Sequence, residues 1–120
     1  MALTRDFKET IQARARRDVA FRRELLREGV ECLLGGEVET GKTVLRDYIN
    51  ATVGFEALAA ATRRQPKSLM RMFGPSGNPQ ARNLFEIVAH LQAREGVHLQ
   101  VLAARRAVAK RRPAPRAPAR

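Results

Sequence analysis

The chain has a single cysteine, no tryptophan, and only 5% aromatic residues. Cys32 alone excludes an intramolecular disulfide and a cysteine-cluster metal site. Within Val30-Glu31-Cys32-Leu33-Leu34 it reads as a small buried hydrophobe. With so few rings, a core must come from Leu, Val, Ala and Met, a mix that favours helices. No apolar run approaches the roughly 20 residues of a membrane span. The opening Met1-Ala2-Leu3-Thr4-Arg5-Asp6 also lacks the apolar centre of a secretory signal. A cytoplasmic protein away from membranes is the expectation.

Acid is scarce as well: 12 Asp and Glu stand against 23 Lys and Arg, a net charge of +11. The excess is uneven, because Arg105 to Arg120 holds seven Lys/Arg and no acid. The first 104 residues carry the remaining 16 bases against 12 acids, a net of +4. A mildly basic folded part with a strongly basic tail suits a polyanionic partner, through counterion release at phosphates. Hydrophobic residues make up 44%, which at 120 residues is enough for one core and too little chain for two. One domain is expected over residues 1–103, with 104–120 a disordered Arg/Pro/Ala tail.

Helical periodicity runs through the domain. Thr4 or Asp6 can cap a first helix carrying Phe7, Ile11 and Ala15. Asp18 can cap a second, with Phe21, Leu25, Leu26, Val30 and Leu33 on one face and Gly35-Gly36 as its stop. Val38, Leu45, Tyr48 and Ile49 stripe a third from about Glu37 to Ala51, which Gly41 weakens locally, and the short glycine loop joining the second and third predicts an N-terminal antiparallel helical hairpin. Gly54 to Thr62 reads as a short helix with Phe55, Leu58, Ala59 and Thr62 inward. Arg63-Arg64-Gln65 then turns the chain, and Pro66 opens a helix to Phe73. Gly74 to Pro79 is a loop, and Leu84, Ile87, Val88 and Leu91 stripe a last helix from about Gln80 to Arg94. After Gly96, Val97-His98-Leu99-Gln100-Val101 alternates like a short strand. Its partner would have to be a second subunit; a helix continuing into Ala104 fits almost as well.

The segment from Gly54 to about Gly74 has the spacing of a helix-turn-helix. Ala59 gives the small inner residue that lets a second helix approach. The turn follows four residues later, and Leu69 and Met72 anchor the second helix. Gln65, Lys67, Ser68 and Arg71 then face the major groove, while Arg64, Asn78 and Arg82 touch phosphates or fix register. The competing interpretation is an ordinary pair of core helices with a solvated basic face.

Several blocks in order also resemble one family. These are Leu3 to Phe7, Glu39 to Lys42, Leu45 to Thr52, Gly54 to Ala59, Lys67 to Pro79, Asn83 to Phe85 and Gly96 to Val101. Together they resemble the helix-turn-helix addiction module antidote (antitoxin) family, which is related to HigA-type, Xre-like regulators. The resemblance covers about residues 1–103. It implies an all-α, lambda-repressor-like domain that binds its own promoter and neutralises a RelE/ParE-like toxin; a palindromic site would further require a homodimer. Two positions depart from the family: Arg63 replaces a usual Gly, and Gln65-Pro66 replaces Pro-Ser. Arg63 costs about 1 kcal/mol if the turn keeps a left-handed conformation.

Other chemistry finds little support in the sequence. Gly36 and Gly41-Lys42-Thr43 satisfy the phosphate-loop spacing, but an amphipathic stretch precedes them where a buried strand is needed. Helix capping and a solvated helix surface account for these residues. His90 and His98 have no carboxylate or thiol placed to complete a metal site. No nucleophile and base share a spacing that suggests a pocket, so neither cofactor nor enzymatic activity is expected. The alternative function is a protein-interaction module that masks the toxin, with weak or lost specific DNA binding.

Overall fold

A computed structural model describes residues 5–105, with side chains from residue 10 onward. The predicted cap Thr4, the side chains of Asp6 and Phe7 and the tail from residue 106 lie outside those residues, while the backbone of Asp6, the other predicted cap, falls inside the first helix rather than before it. The described chain is all-α, with six helices: α1 (Arg5–Arg17), α2 (Val19–Leu34), α3 (Val38–Ala51), α4 (Phe55–Thr62), α5 (Pro66–Met72) and α6 (Ala81–Glu95).

Local chemistry sets most boundaries. Asp18 caps α2 as predicted, its Oδ1 accepting from the Phe21 N–H at 3.0 Å. That bond, with the neighbouring Arg14, holds the Asp18 carboxyl below its ordinary value. The cap's stabilisation is therefore present above the ordinary aspartate pKa and is lost as pH falls through the lowered folded value. Gly36 (φ 85°) and Gly96 (φ 76°) end α2 and α6 in conformations that side chains rarely adopt.

Helices α2 and α3 pack closely where their glycines meet. A Cβ on Gly29 would lie 2.7 Å from Leu45 Cδ2, and one on Gly41 would lie 3.0 Å from the Gly29 carbonyl oxygen. Gly41 thus belongs to a helix crossing, where absence of a side chain outweighs its poor helix propensity. Leu26, Leu45 and Ile49 meet Phe55, Leu58, Leu69, Phe73, Ile87 and Leu91 in one core. The Phe55 and Phe73 rings stand 6.2 Å apart at 54°, joining α4 to the end of α5. Cys32, expected to be buried, is only partly so. Burial and the nearby Glu37, Glu28 and Glu31 raise its pKa, which disfavours the reactive thiolate.

The expected C-terminal strand does not form: the described residues contain helices and no strand. Val97 and Leu99 pack against the core while His98 and Gln100 are exposed, so the alternation itself is present. What is missing is a ladder. The Leu99 N–H donates to the Gln92 side chain at 2.8 Å, and Val97 N–H to the Gln92 carbonyl. Among the described residues no second strand stands beside it to pair with.

Arg63 is the one non-glycine residue with positive φ among those described, at φ 58°, ψ 44°. An Arg63→Gly variant should be more stable by about 1 kcal/mol, because glycine enters this region without a Cβ penalty. Denaturant unfolding midpoints of the two proteins check this.

Candidate nucleic-acid interface

Helices α4 and α5 are joined by the three-residue turn Arg63-Arg64-Gln65 and share the core through Phe55, Leu58, Ala59, Leu69 and Phe73. Pro66 sits in the first turn of α5, where its missing N–H costs nothing. With Leu69 and Phe73 buried, the opposite side of α5 exposes Lys67, Ser68, Met70 and Arg71. Lys67 and Arg71 are four residues apart and therefore neighbours on that surface.

The seven predicted residues do not all come together. Gln65, Lys67, Ser68 and Arg71 are exposed along the turn and α5. Asn78, in the loop after α5, and Arg82, in the first turn of α6, are exposed as well. Arg64 is set apart. Its side chain is 18% exposed and Nη2 bonds Glu86 at 2.6 Å and Asn83 at 3.3 Å. It ties the turn to α6, and its buried Nε has no partner. From Ala57 to Phe85 the sequence has five Lys/Arg and no acid, so only Glu56 and Glu86 flank the cationic stretch.

Two further contacts at the end of α5 come from α3. Lys42 is 1% exposed, and its Nζ donates to the Gly77 carbonyl at 2.7 Å and pairs with Glu39 at 3.1 Å. The expectation of a solvated helix surface around Gly41-Lys42-Thr43 is corrected here, because a buried ammonium must find acceptors. Arg46 Nη1 donates to the Phe73 carbonyl at 3.3 Å, at the C-terminus of α5. Two cations of α3 thus satisfy carbonyls at and just beyond the negative end of α5. Gly77 has no room for a side chain, since a Cβ there would stand 1.9 Å from the Arg71 carbonyl oxygen. A signal for Lys42 was available: it falls on the same helical stripe as Val38, Leu45 and Ile49, where a lysine is out of place unless paired.

The arrangement presents donors on a short exposed helix whose back and C-terminal end are fixed. Among the described residues, no group of three or more His, Cys, Asp or Glu is placed to hold a metal ion. Comparison with family models, characterised proteins and solved structures gives no match for this chain.

Proposed function

We propose that this chain is a sequence-specific DNA-binding transcriptional regulator, the autoregulating antitoxin of a type II module. The observation that carries the DNA-binding part is the unit α4–turn–α5. One small inner residue, Ala59, lies under a second helix whose outer side holds Lys67, Ser68 and Arg71 and no acid. That is the requirement for a helix-turn-helix whose second helix enters the major groove. Asn78 and Arg82 flank α5 where phosphates would run, whereas Arg64 serves the reading by fixing the turn on α6. The antitoxin part rests on the family resemblance, which adds a RelE/ParE-like toxin as the second partner. The experiment for the reading is binding of the full chain to the duplex upstream of its own reading frame. Preference over a scrambled duplex of equal length supports it, and equal affinity for both removes sequence reading.

A palindromic site needs two copies with recognition helices about 34 Å apart. The extended segment after Gly96 supplies a means of pairing, since Val101 and Leu102 are 80% and 87% exposed. Two such segments laid antiparallel would complete each other's ladder. Val101→Asp with Leu102→Asp should therefore convert a dimer to a monomer, as measured by sedimentation velocity. A monomeric parent protein, or a dimer unaffected by the change, would place self-association elsewhere.

Arg63 favours a second reading, a toxin-masking module with weak DNA contact. The left-handed turn holds a residue that strains it, at the point that orients α5. Co-purification with the product of an adjacent toxin-like frame, without upstream-DNA preference, would favour this reading.

A further inference from the structure

Toward the C-terminal end of α6 from Glu86, the ends of α1, α3 and α6 and the start of α2 line an open cleft of about 510 Å³. Glu86 to Glu95 is nine residues, so the two regions are separated by about 13 Å along the helix. Four arginines line the cleft, Arg16, Arg22, Arg23 and Arg94, against the single carboxylate of Glu95. Glu95 is already committed. It accepts from the buried Tyr48 hydroxyl and from Arg22 Nε at 3.0 Å, and pairs with Arg23 at 3.6 Å. Arg22 is further held by the Ala15 carbonyl at 3.0 Å. Arg16 and Arg94 are exposed and have no acidic partner among the described residues.

This is a cationic concavity with two arginines, Arg22 and Arg23, fixed to Glu95 by ion pairs and two without an acidic partner among the described residues. Guanidinium forks match phosphate oxygens in pairs. The volume is within the range of small-molecule sites, roughly 300–1,000 Å³, and is far larger than one chloride or water needs. We infer that this cleft binds a small ligand bearing two adjacent phosphate groups. Two such groups can engage the fixed pair and the uncommitted pair at once, which a single carboxylate cannot. The proposal does not depend on α5 reading DNA, because neither the cleft nor its arginines belong to α4 or α5.

Inorganic pyrophosphate, titrated into the full chain by calorimetry at constant ionic strength, is the test. One saturable site is expected. Its affinity should fall on the order of tenfold or more in Arg16→Ala plus Arg94→Ala. Neither residue has a described ion pair to lose, so the variant should melt with the parent protein. Lys67→Ala plus Arg71→Ala, on α5 and not among the cleft's lining residues, should bind pyrophosphate as the parent does. Absence of a saturable site, unchanged affinity in the Arg16/Arg94 variant, or loss in the Lys67/Arg71 variant would each overturn the assignment.

Discussion

Lys67→Ala combined with Arg71→Ala should lower affinity for the upstream duplex on the order of 100-fold, about 2.7 kcal/mol. Both side chains are exposed on α5, four residues apart, and neither has an ion pair within the described chain. Their removal leaves Leu69, Met72 and Phe73 in place, so thermal stability should change by no more than about 0.5 kcal/mol. The two residues should separate by mechanism. An arginine bonded to a guanine edge governs preference among sequences, whereas a lysine at a phosphate weakens all sequences alike and flattens the salt dependence. Fluorescence anisotropy with cognate and scrambled duplexes at several salt concentrations resolves these contributions. Unchanged affinity in the double variant would remove α5 as the reading helix.

Glu95→Ala should cost about 3 kcal/mol, a fall in melting temperature of roughly 10–20 °C for a domain of this size. The Glu95 side chain is 6% exposed and joins α6 to α2 through Arg22 and to α3 through Tyr48. Truncation leaves the buried Tyr48 hydroxyl without its acceptor and takes the carboxylate from Arg22, itself only 20% exposed. Burial first, and then the hydrogen bond to Glu95, push the Tyr48 pKa up, so tyrosine remains the donor throughout the neutral range. Tyr48→Phe removes one bond and keeps the ion pair, so its loss should be nearer 1 kcal/mol. Urea unfolding of the three proteins tests the ordering. A Glu95→Ala loss below that of Tyr48→Phe would show that the ion pair does not stabilise the fold.

Features fixed by neighbours in sequence were legible before the structure. Asp18 lies immediately before α2, Pro66 opens α5, and Gly96 ends α6, because caps and turns act over three or four residues. The inward residues of α4, α5 and α6 followed from periodicity for the same reason. Features fixed by contact across the fold were not legible. Gly41 carries a helix-breaking propensity, yet its neighbour in space, Gly29, is what makes it suitable. Lys42 interrupts an apolar stripe, but its acceptor at Gly77 is 35 positions away. Residues 97–101 show the alternation of a strand without the partner that alternation requires. In the candidate interface, exposure of Gln65, Lys67, Ser68 and Arg71 was readable from the helix face. The diversion of Arg64 to Asn83 and Glu86 was not, because those acceptors lie on another helix.

On the proposed reading, the exposed cations around α5 and the basic residues at the end of the chain would be two different sources of DNA affinity. Phosphate neutralisation by either gives binding that weakens with salt, but only fixed donors at base edges give preference among sequences. The decisive measurement is the affinity of residues 1–105 alone for the upstream duplex and for its scrambled counterpart at one fixed salt concentration. A preference for the upstream duplex equal to that of the full chain, at somewhat lower absolute affinity, is the predicted result. Equal affinity for both duplexes, or loss of all binding with the basic tail, would contradict α5 as the reader of DNA.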